Sequence, residues 1–398
     1  MNITIQLDEL KGKCLLTILT VFFLYVFWYQ YAYNPISGTI PILTLIMTVL
    51  ALPHYLKLSD YAEICGFLCF TICCAFISLL IGSVRSESSR LIFNQIEYLV
   101  PLIVIYTFAS GGLENFKSVN RALCLAVLVL AIHSKFFGIK TNTGAVVIGT
   151  LNANVIASLL TLGTVSALIL IAIENSNLLK CILLIAISVM SLTMFDVGSR
   201  RGIVLQFYLL FSGLAVFINE RFRGKIFVKL VAIIAFLFFL FFILLNIEAL
   251  FGDSVAIQRL IAGRNAGDIQ RERLQAIAWK IFMTSPIFGQ GLGVVGVQAG
   301  MYAHSLYYEV LASSGVLGMF LLTLFFFKHI FVLFRCARLK NTSEVALRRM
   351  CMLLVSSIVV IFLTGMFVVL IYDMYFYVMI AIVSAGVKIA KKGAGERI

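Results

Sequence analysis

The sequence has little charge for its length. Of its 398 residues only 12% are charged and 62% are hydrophobic, whereas a soluble domain has about 25% charged and about 45–50% apolar residues. A soluble fold cannot bury that much apolar surface, so the composition predicts a protein of the lipid bilayer. The net charge of +13 does not indicate nucleic acid as a partner, because the basic residues lie between apolar segments, where membrane topology places them.

The sequence also lacks cysteine outside its apolar segments. All nine cysteines lie inside or beside such segments, which argues against a disulfide framework and against a zinc site. No small-residue cleavage site follows the charged segment Met1–Lys13. We therefore expect the first span to remain as an anchor and not to be removed as a signal peptide.

Twelve segments are long and apolar enough to cross a bilayer as helices, which takes about 20 residues each. They are 13–33, 38–56, 61–82, 93–111, 121–139, 146–173, 178–197, 203–219, 226–247, 315–336, 350–372 and 374–390. The predicted fold is an all-α polytopic membrane protein with these twelve transmembrane helices. Nine belong to residues 1–247, a large outer loop covers 248–307, and three more with a short cytoplasmic tail make up 308–398.

The basic residues predict the orientation. Of the 31 lysines and arginines, 20 fall in every second loop or in the tails, which places both termini in the cytoplasm. The other 11 face outward, against that bias. They are Arg85, Arg90, Lys135, Lys140, Arg200, Arg201, Arg259, Arg264, Arg271, Arg273 and Lys280. Such a cluster predicts an anion site, and a lipid phosphate is the simplest partner at a membrane surface. The alternative is that single side chains snorkel to headgroups.

The first outer segment that can carry chemistry is Gly198-Ser199-Arg200-Arg201-Gly202. Two adjacent arginines between glycines hold guanidinium groups at membrane depth on a tight connection. Each can grip phosphate oxygens through two parallel hydrogen bonds. A short turn whose arginines contact only headgroups is the alternative.

The second segment is the large outer loop. Residues 270–283 have helical spacing with one apolar side, which predicts an interfacial amphipathic helix with a basic face around Trp279. The apolar side consists of Leu274, Ile277, Ala278 and Ile281. Three alternate glycines follow in 286–293. We interpret them as backbone bends in preference to ligand contacts, because a nucleotide-binding glycine motif needs a preceding strand and a βαβ unit.

The third segment contains His304. Of the four histidines, only this one falls in the outer polar segment, close in sequence to the arginine-rich loop. A neutral imidazole can accept the proton of an attacking hydroxyl. The alternative is a structural histidine, which a lone histidine usually is.

The order of these pieces resembles the O-antigen ligase and O-antigen polymerase superfamily of bacterial envelopes. The resemblance covers 196–320 and includes Gly-Ser-Arg-Arg-Gly, an outer loop with arginine and tryptophan, and Ser-Pro-Ile-Phe-Gly-Gln-Gly-Leu-Gly. It continues through Ala-His-Ser-Leu-Tyr and Gly-Val-Leu-Gly. The resemblance implies a C-type glycosyltransferase-like fold. It also implies transfer of a glycan from undecaprenyl pyrophosphate to a sugar hydroxyl at the periplasmic face, without a cofactor.

The resemblance also implies residue roles. His304 acts on the acceptor hydroxyl, while Arg200 or Arg201 and Arg271 or Arg273 hold the pyrophosphate. Supporting roles are expected for Arg85, Arg264, Trp279 and Tyr302. The family often has asparagine after the histidine where this chain has Ser305, and the arginine-to-tryptophan spacing is longer here. The second departure leaves the choice between Arg271 and Arg273 open.

The sequence analysis therefore favours an O-antigen polymerase of the bacterial inner membrane that needs no metal, since the outer acids show no metal-site spacing. Its expected partners are an undecaprenyl-pyrophosphate-linked glycan, an acceptor glycolipid, membrane lipids and a chain-length regulator. An O-antigen ligase that transfers glycan to lipid A-core is the first alternative. A flippase for the same lipid-linked sugar is the second, and it would carry ionisable residues near the bilayer midplane in several spans. A receptor or scaffold is the third.

Overall fold

The computed structural model describes residues 22–23, 58–141, 146–148, 152–221, 266–338 and 345–395. The predicted span 38–56, the span 226–247, and all of the span 13–33 except Phe22 and Phe23 lie outside these ranges, as does Arg264.

The described part of the chain is almost entirely helical. Its helices are α1 (Ala62–Leu80), α2 (Arg85–Ala109), α3 (Leu113–Phe137), α4 (Ala153–Ile173), α5 (Asn177–Val197), α6 (Arg200–Arg221), α7 (Ala266–Thr284), α8 (Val294–Ala299), α9 (Leu306–Arg338), α10 (Val345–Gly365) and α11 (Met374–Gly393). Two short strands, β1 (Ile139–Lys140) and β2 (Val146–Val147), pair antiparallel. Within these ranges nine helices, α1–α6 and α9–α11, are long and apolar enough to cross a membrane. The chain is a multi-pass α-helical membrane protein.

The contacts divide the described chain into two compact units. The first contains α3 to α6 and α10 as far as Ser356. The second contains α1, α2, α7 and α8, together with α9 as far as Arg335, the rest of α10, and α11.

In the first unit, α4 begins later than the predicted span 146–173. Asn152 caps this helix, because its side-chain oxygen accepts hydrogen bonds from the backbone N–H groups of Asn154 at 3.0 Å and Val155 at 3.1 Å. Such a cap satisfies N–H groups that have no partner within the helix. Residues 146–147 form β2 instead of helix, so the all-α prediction needs a small correction here.

Polar side chains join α4, α5 and α6 at membrane depth. The buried Gln206 amide donates to Ser191 Oγ at 2.7 Å and to Thr164 Oγ1 at 3.1 Å. Interhelical hydrogen bonds of this kind hold helices together where lipid removes the usual hydrophobic driving force.

The second unit is built around α11, whose residues from Met374 to Ala390 are buried. Aromatic rings fill the space between α11 and its neighbours. The ring of Phe67 on α1 lies 5.6 Å from that of Phe376 and 5.5 Å from that of Tyr377. The ring of Phe325 on α9 lies 5.7 Å from that of Phe67.

Several helices extend beyond the predicted spans. Helix α2 begins at Arg85 and not at 93, and α9 begins at Leu306 and not at 315. Hydropathy misses these turns because they are polar. Helix α10 ends at Gly365, and the predicted span 350–372 is therefore too long at its end, where Leu370–Tyr372 form a short 3-10 helix.

Helix α9 is broken at Gly315, whose backbone angles are φ 63° and ψ −161°. The break leaves carbonyl groups without helical partners at the end of the first half. The loop that follows α7 supplies donors for two of them. Gln290 N–H donates to Ala312 O at 2.9 Å, and Gly291 N–H donates to Ser313 O at 2.9 Å.

The same loop also satisfies the start of the second half of α9. Val316 N–H donates to Pro286 O at 2.8 Å, and Leu317 N–H donates to Ile287 O at 3.2 Å. Irregular backbone at membrane depth is tolerated where protein satisfies its polar groups. The loop and the broken helix therefore form one interlocked element.

Candidate functional site

The arginine pair lies at the start of α6 in the first unit. Gly198 ends α5 in the left-handed conformation with φ 79°. Ser199 then caps α6, because its Oγ accepts from Gly202 N–H at 3.3 Å while the same hydroxyl donates to Asn154 Oδ1 at 3.1 Å. Arg200 and Arg201 are thus the first two residues of a helix and are half-buried.

This placement concentrates positive charge. The N-terminus of a helix carries a partial positive charge and exposed N–H groups, which favour anions and disfavour cations. Two guanidinium groups at that end add to the same field. The start of α6 is therefore chemically suited to a phosphate group.

A small apolar cavity of about 30 Å³ lies between α5 and α6. Its lining includes Met194 and Phe195 from the last turns of α5 and Ile203, Phe207 and Leu210 from α6. Because a helix rises about 1.5 Å per residue, this part of α6 extends from about 5 to about 15 Å beyond the arginines. The cavity thus offers apolar surface next to a cationic helix end.

His304 lies in the second unit, on the tight turn before α9. It is the one residue other than glycine with a positive φ, 52°, in the described part of the chain. Non-glycine residues adopt this conformation infrequently, and it costs energy that the surroundings must supply. The histidine is half-buried.

A buried carboxyl group supports the histidine turn. The side chain of Glu309 is completely buried, and its Oε2 accepts from Ala303 N–H at 3.0 Å, directly before His304. Its Oε1 accepts from the hydroxyl of Tyr372 at 3.2 Å. That hydroxyl accepts from Gly293 N–H at 3.2 Å, so Tyr372 links Glu309 to the loop that follows α7.

Two further contacts fix the residues after the histidine. Ser305 Oγ donates to Gly365 O at 3.4 Å, and Tyr307 Oη donates to Phe362 O at 2.8 Å. These bonds join the start of α9 to the end of α10.

Tyr302 precedes the turn and contacts an ion pair on α2. Arg90 binds the carboxylate of Glu87 through Nε at 2.9 Å and Nη2 at 2.5 Å. Tyr302 Oη donates to Glu87 Oε1 and accepts from Arg90 Nη2, each at 3.3 Å. Its ring lies 4.9 Å from that of Tyr372. Burial and the nearby Glu87 raise the pKa of Tyr302, so its hydroxyl remains a donor at neutral pH.

Two groups next to this site have shifted acidity. Burial, with Glu309 nearby, raises the pKa of Tyr372 well above its ordinary value. Burial also raises the pKa of Asp373 to about 7, although its side chain keeps partial exposure. A carboxyl group that changes charge near neutral pH therefore lies beside the tyrosine that supports Glu309.

Arg271 and Arg273, which the sequence left as alternatives, differ in exposure and in ion pairing on α7. Arg271 is partly buried and forms an ion pair with Asp268 at 2.9 Å, whereas Arg273 is exposed. Trp279 is 47% exposed and Arg85, at the start of α2, is exposed as well.

The three glycines of 286–293 lie at backbone bends, as predicted. Gly289, Gly291 and Gly293 have φ values of 68°, 96° and 80°. A Cβ on Gly289 would come within 2.5 Å of the α9 backbone at Ser313. These positions need glycine for local geometry.

The structure thus brings His304 and Tyr302 together in one unit, which also contains Arg85, Arg271, Arg273 and Trp279, while Arg200 and Arg201 belong to the other. Sequence reasoning missed Glu309 and Tyr372. The available signal for Glu309 was an acidic residue five positions after the histidine, at the start of an apolar run. Across the part of the chain that the structure describes, no group of three or more His, Cys, Asp or Glu side chains is arranged to hold a metal ion.

Comparisons with known proteins add little. No protein-family model matches the sequence, and no curated protein matches it. A chain from the solved structure described as "Structural coordination of polymerization and crosslinking by a peptidoglycan synthase complex" is similar, with a TM-score of 0.48 and 13% sequence identity. The match covers 85% of this chain and 98% of that chain. A similarity at this level carries no argument about function.

Proposed function

We propose that the chain is a glycosyltransferase that polymerises a surface polysaccharide of the O-antigen type. In this reaction a sugar hydroxyl of a lipid-linked repeat unit attacks the anomeric carbon of a growing glycan. The bond from that carbon to the pyrophosphate oxygen breaks, and undecaprenyl pyrophosphate leaves. The observation that carries the proposal is the His304 turn, a strained histidine backbone supported by the buried Glu309.

The residue roles follow from the chemistry. His304 accepts the proton of the attacking hydroxyl, which typically contributes about 10²–10⁴ in rate. Arg271, which belongs to the same unit as His304, stabilises the charge on the leaving pyrophosphate, a role that needs no metal ion. Arg200 and Arg201, predicted from sequence for the same role, lie at a helix start that suits a phosphate group.

The broken helix favours an enzyme over a flippase. In transporters the ends of such half-helices face the substrate and bind it. Here the loop that follows α7 already forms hydrogen bonds with the backbone groups on both sides of Gly315, so these groups are not available to a substrate. The ligase remains the alternative within the same chemistry.

Envelope glycan from a deletion strain tests the proposal and separates it from the ligase. A polymerase predicts loss of polymer, with a single repeat unit still capping the core. Loss of everything beyond the core, with lipid-linked polymer accumulating, would instead indicate the ligase.

A purified assay with lipid-linked substrates tests the chemistry. We expect His304→Ala to lose about 10²–10⁴ in turnover while still binding the donor, and a chelator to change nothing. His54→Ala is the matched control, because the sequence places His54 on the cytoplasmic side. Near-normal turnover by His304→Gln would refute the assignment of His304 as general base. Loss of activity with a chelator would refute the proposal that the reaction needs no metal ion.

A further inference from the structure

Helix α7 uses its predicted apolar side for protein packing and not for lipid. Leu274, Ala278 and Ile281 are buried. Ala278 and Ile281 belong to a core cluster with Val294, Val295, Ala303 and Ala312. The membrane therefore cannot be the partner of that side.

The same cluster indicates the depth of α7. Val84, the residue directly before α2, packs against it, and Ala312 belongs to the second turn of the spanning helix α9. Both lie near the ends of segments that cross the bilayer. Helix α7 consequently lies at the level where spans begin, which is the headgroup region.

The opposite side of α7 is exposed and still apolar. Ile269 is 58% exposed, Trp279 47% and Met283 58%. With 3.6 residues per turn, these three share one stripe with the exposed cations Arg273 and Lys280. Glu272 is the single acid on that stripe.

The exposed surface continues beyond the helix. Ile287 is 63% exposed and Phe288 43% exposed on the loop directly after α7. Tryptophan, arginine and lysine next to aliphatic side chains are typical of membrane–water interfaces, where rings lie at headgroup level and cations meet phosphates.

We propose that this stripe of α7 inserts into the headgroup region of the outer leaflet and binds anionic phospholipid. Trp279 and Met283 contact the upper acyl chains, while Arg273 and Lys280 contact lipid phosphates. The inference does not depend on the proposed function. It gives Arg273 a role different from that of Arg271.

Tryptophan fluorescence tests this proposal directly, because the chain has only two tryptophans, Trp28 and Trp279. The Trp28→Phe protein is reconstituted into phosphatidylcholine vesicles with or without phosphatidylglycerol. The lipids carry bromine either near the headgroup end or near the methyl end of the acyl chain. We expect Trp279 to lose most of its emission to headgroup-end bromine, less to methyl-end bromine, and little to aqueous acrylamide.

Matched variants calibrate the depth and test the charges. In a Trp28→Phe, Trp279→Phe background, Phe93→Trp on α2 provides a lipid-facing reporter, because Phe93 is 72% exposed about 12 Å along the helix from Arg85. Its emission should respond more to methyl-end bromine. Arg273→Gln with Lys280→Gln should abolish any gain in Trp279 quenching that phosphatidylglycerol produces.

Two outcomes would overturn the proposal. Strong acrylamide quenching without bromine quenching would place the stripe in water. Protection from both quenchers would mean that a protein surface covers it. If Trp28→Phe does not fold, the difference in emission between the native protein and Trp279→Phe isolates the same signal.

Discussion

Arg200 and Arg201 lie at the end of α6 where the helix dipole is already positive. Two cations there add to the positive field of the helix start, which suits a bound phosphate. We predict that Arg200→Ala, Arg201→Ala or Arg271→Ala loses about 10²–10³ in turnover, or about 3–4 kcal/mol.

Lysine should restore that activity only in part, because it lacks the planar fork that binds two phosphate oxygens. The exposed Lys392→Ala serves as the control for loss of one cation. Polymer synthesis that stays normal in all three arginine variants would reduce these residues to headgroup contacts.

Glu309 is the residue through which other elements hold the His304 turn. Glu309→Ala leaves the buried Ala303 N–H without its acceptor, which costs about 1–3 kcal/mol. Glu309→Gln keeps an acceptor oxygen and should lose less. Thermal unfolding of the purified protein measures both, with Asp196→Ala, which removes a carboxylate from the exposed ion pair with Lys135, as the control. Equal stability of the alanine variant and the native protein would contradict the assigned support.

Asp373 predicts a pH dependence of stability. Its pKa is raised from 3.8 to about 7 in the folded protein, so between these values the folded state holds a proton that the unfolded state has released. Stability from this residue is therefore complete below pH 3.8 and is lost as the pH rises through about 7. Asp373→Asn should show a smaller decline, because the buried carboxyl group of Glu309 contributes a decline of its own. The variant should unfold at a higher temperature than the native protein above pH 7. Parallel curves for the two proteins would refute the assignment.

At the scale of elements, the interlock between α9 and the loop before α8 depends on close backbone approach. Gly315→Ala combines a left-handed φ with a Cβ that would lie 2.3 Å from Ile287 O. Gly300→Ala meets a similar φ of 76° but open space. Gly300→Ala is therefore the control, and it should lose roughly 1–2 kcal/mol of folding free energy. Gly315→Ala should prevent accumulation of folded protein. Detergent-solubilised yield and melting temperature distinguish the two, and equal losses would show that the contact with Ile287 is unimportant.

The break at Gly315 also shows where prediction from sequence ends. Hydropathy predicted a span over 315–336 and left residues 306–314 outside it, so it carried no signal for one helix that is interrupted at Gly315. The partners of the broken backbone come from residues 286–291, and such long-range pairing is not encoded in local periodicity. By contrast, the helical spacing of 270–283 predicted the helix α7 and its apolar side, because amphipathic periodicity is local. That this side packs against protein, and not at the lipid interface, was not predicted.

The candidate site divides in the same way. His304 could be proposed because it is the one histidine in a predicted outer polar segment, and the arginine pair because the predicted topology alone does not explain it. Glu309 was not identifiable as its support, since Tyr372 lies 63 residues away along the chain. Sequence therefore suggested reacting groups, while the groups that hold them required the folded structure.

At the scale of the whole molecule, all of these roles depend on one orientation. Arg221, Arg223 and Lys225 surround Gly224, and the positive-inside rule places them in the cytoplasm. The next predicted span, 226–247, would then bring Gly263 to the opposite side. We predict that a reporter active only outside the cytoplasm is active after Gly263 and silent after Gly224, with a silent fusion after Ile398 as the control for the C-terminus. The reverse pattern would place the His304 turn and the start of α6 in the cytoplasm. The proposed reaction at the periplasmic face would then be excluded, because its histidine and arginines would lie on the wrong side of the membrane.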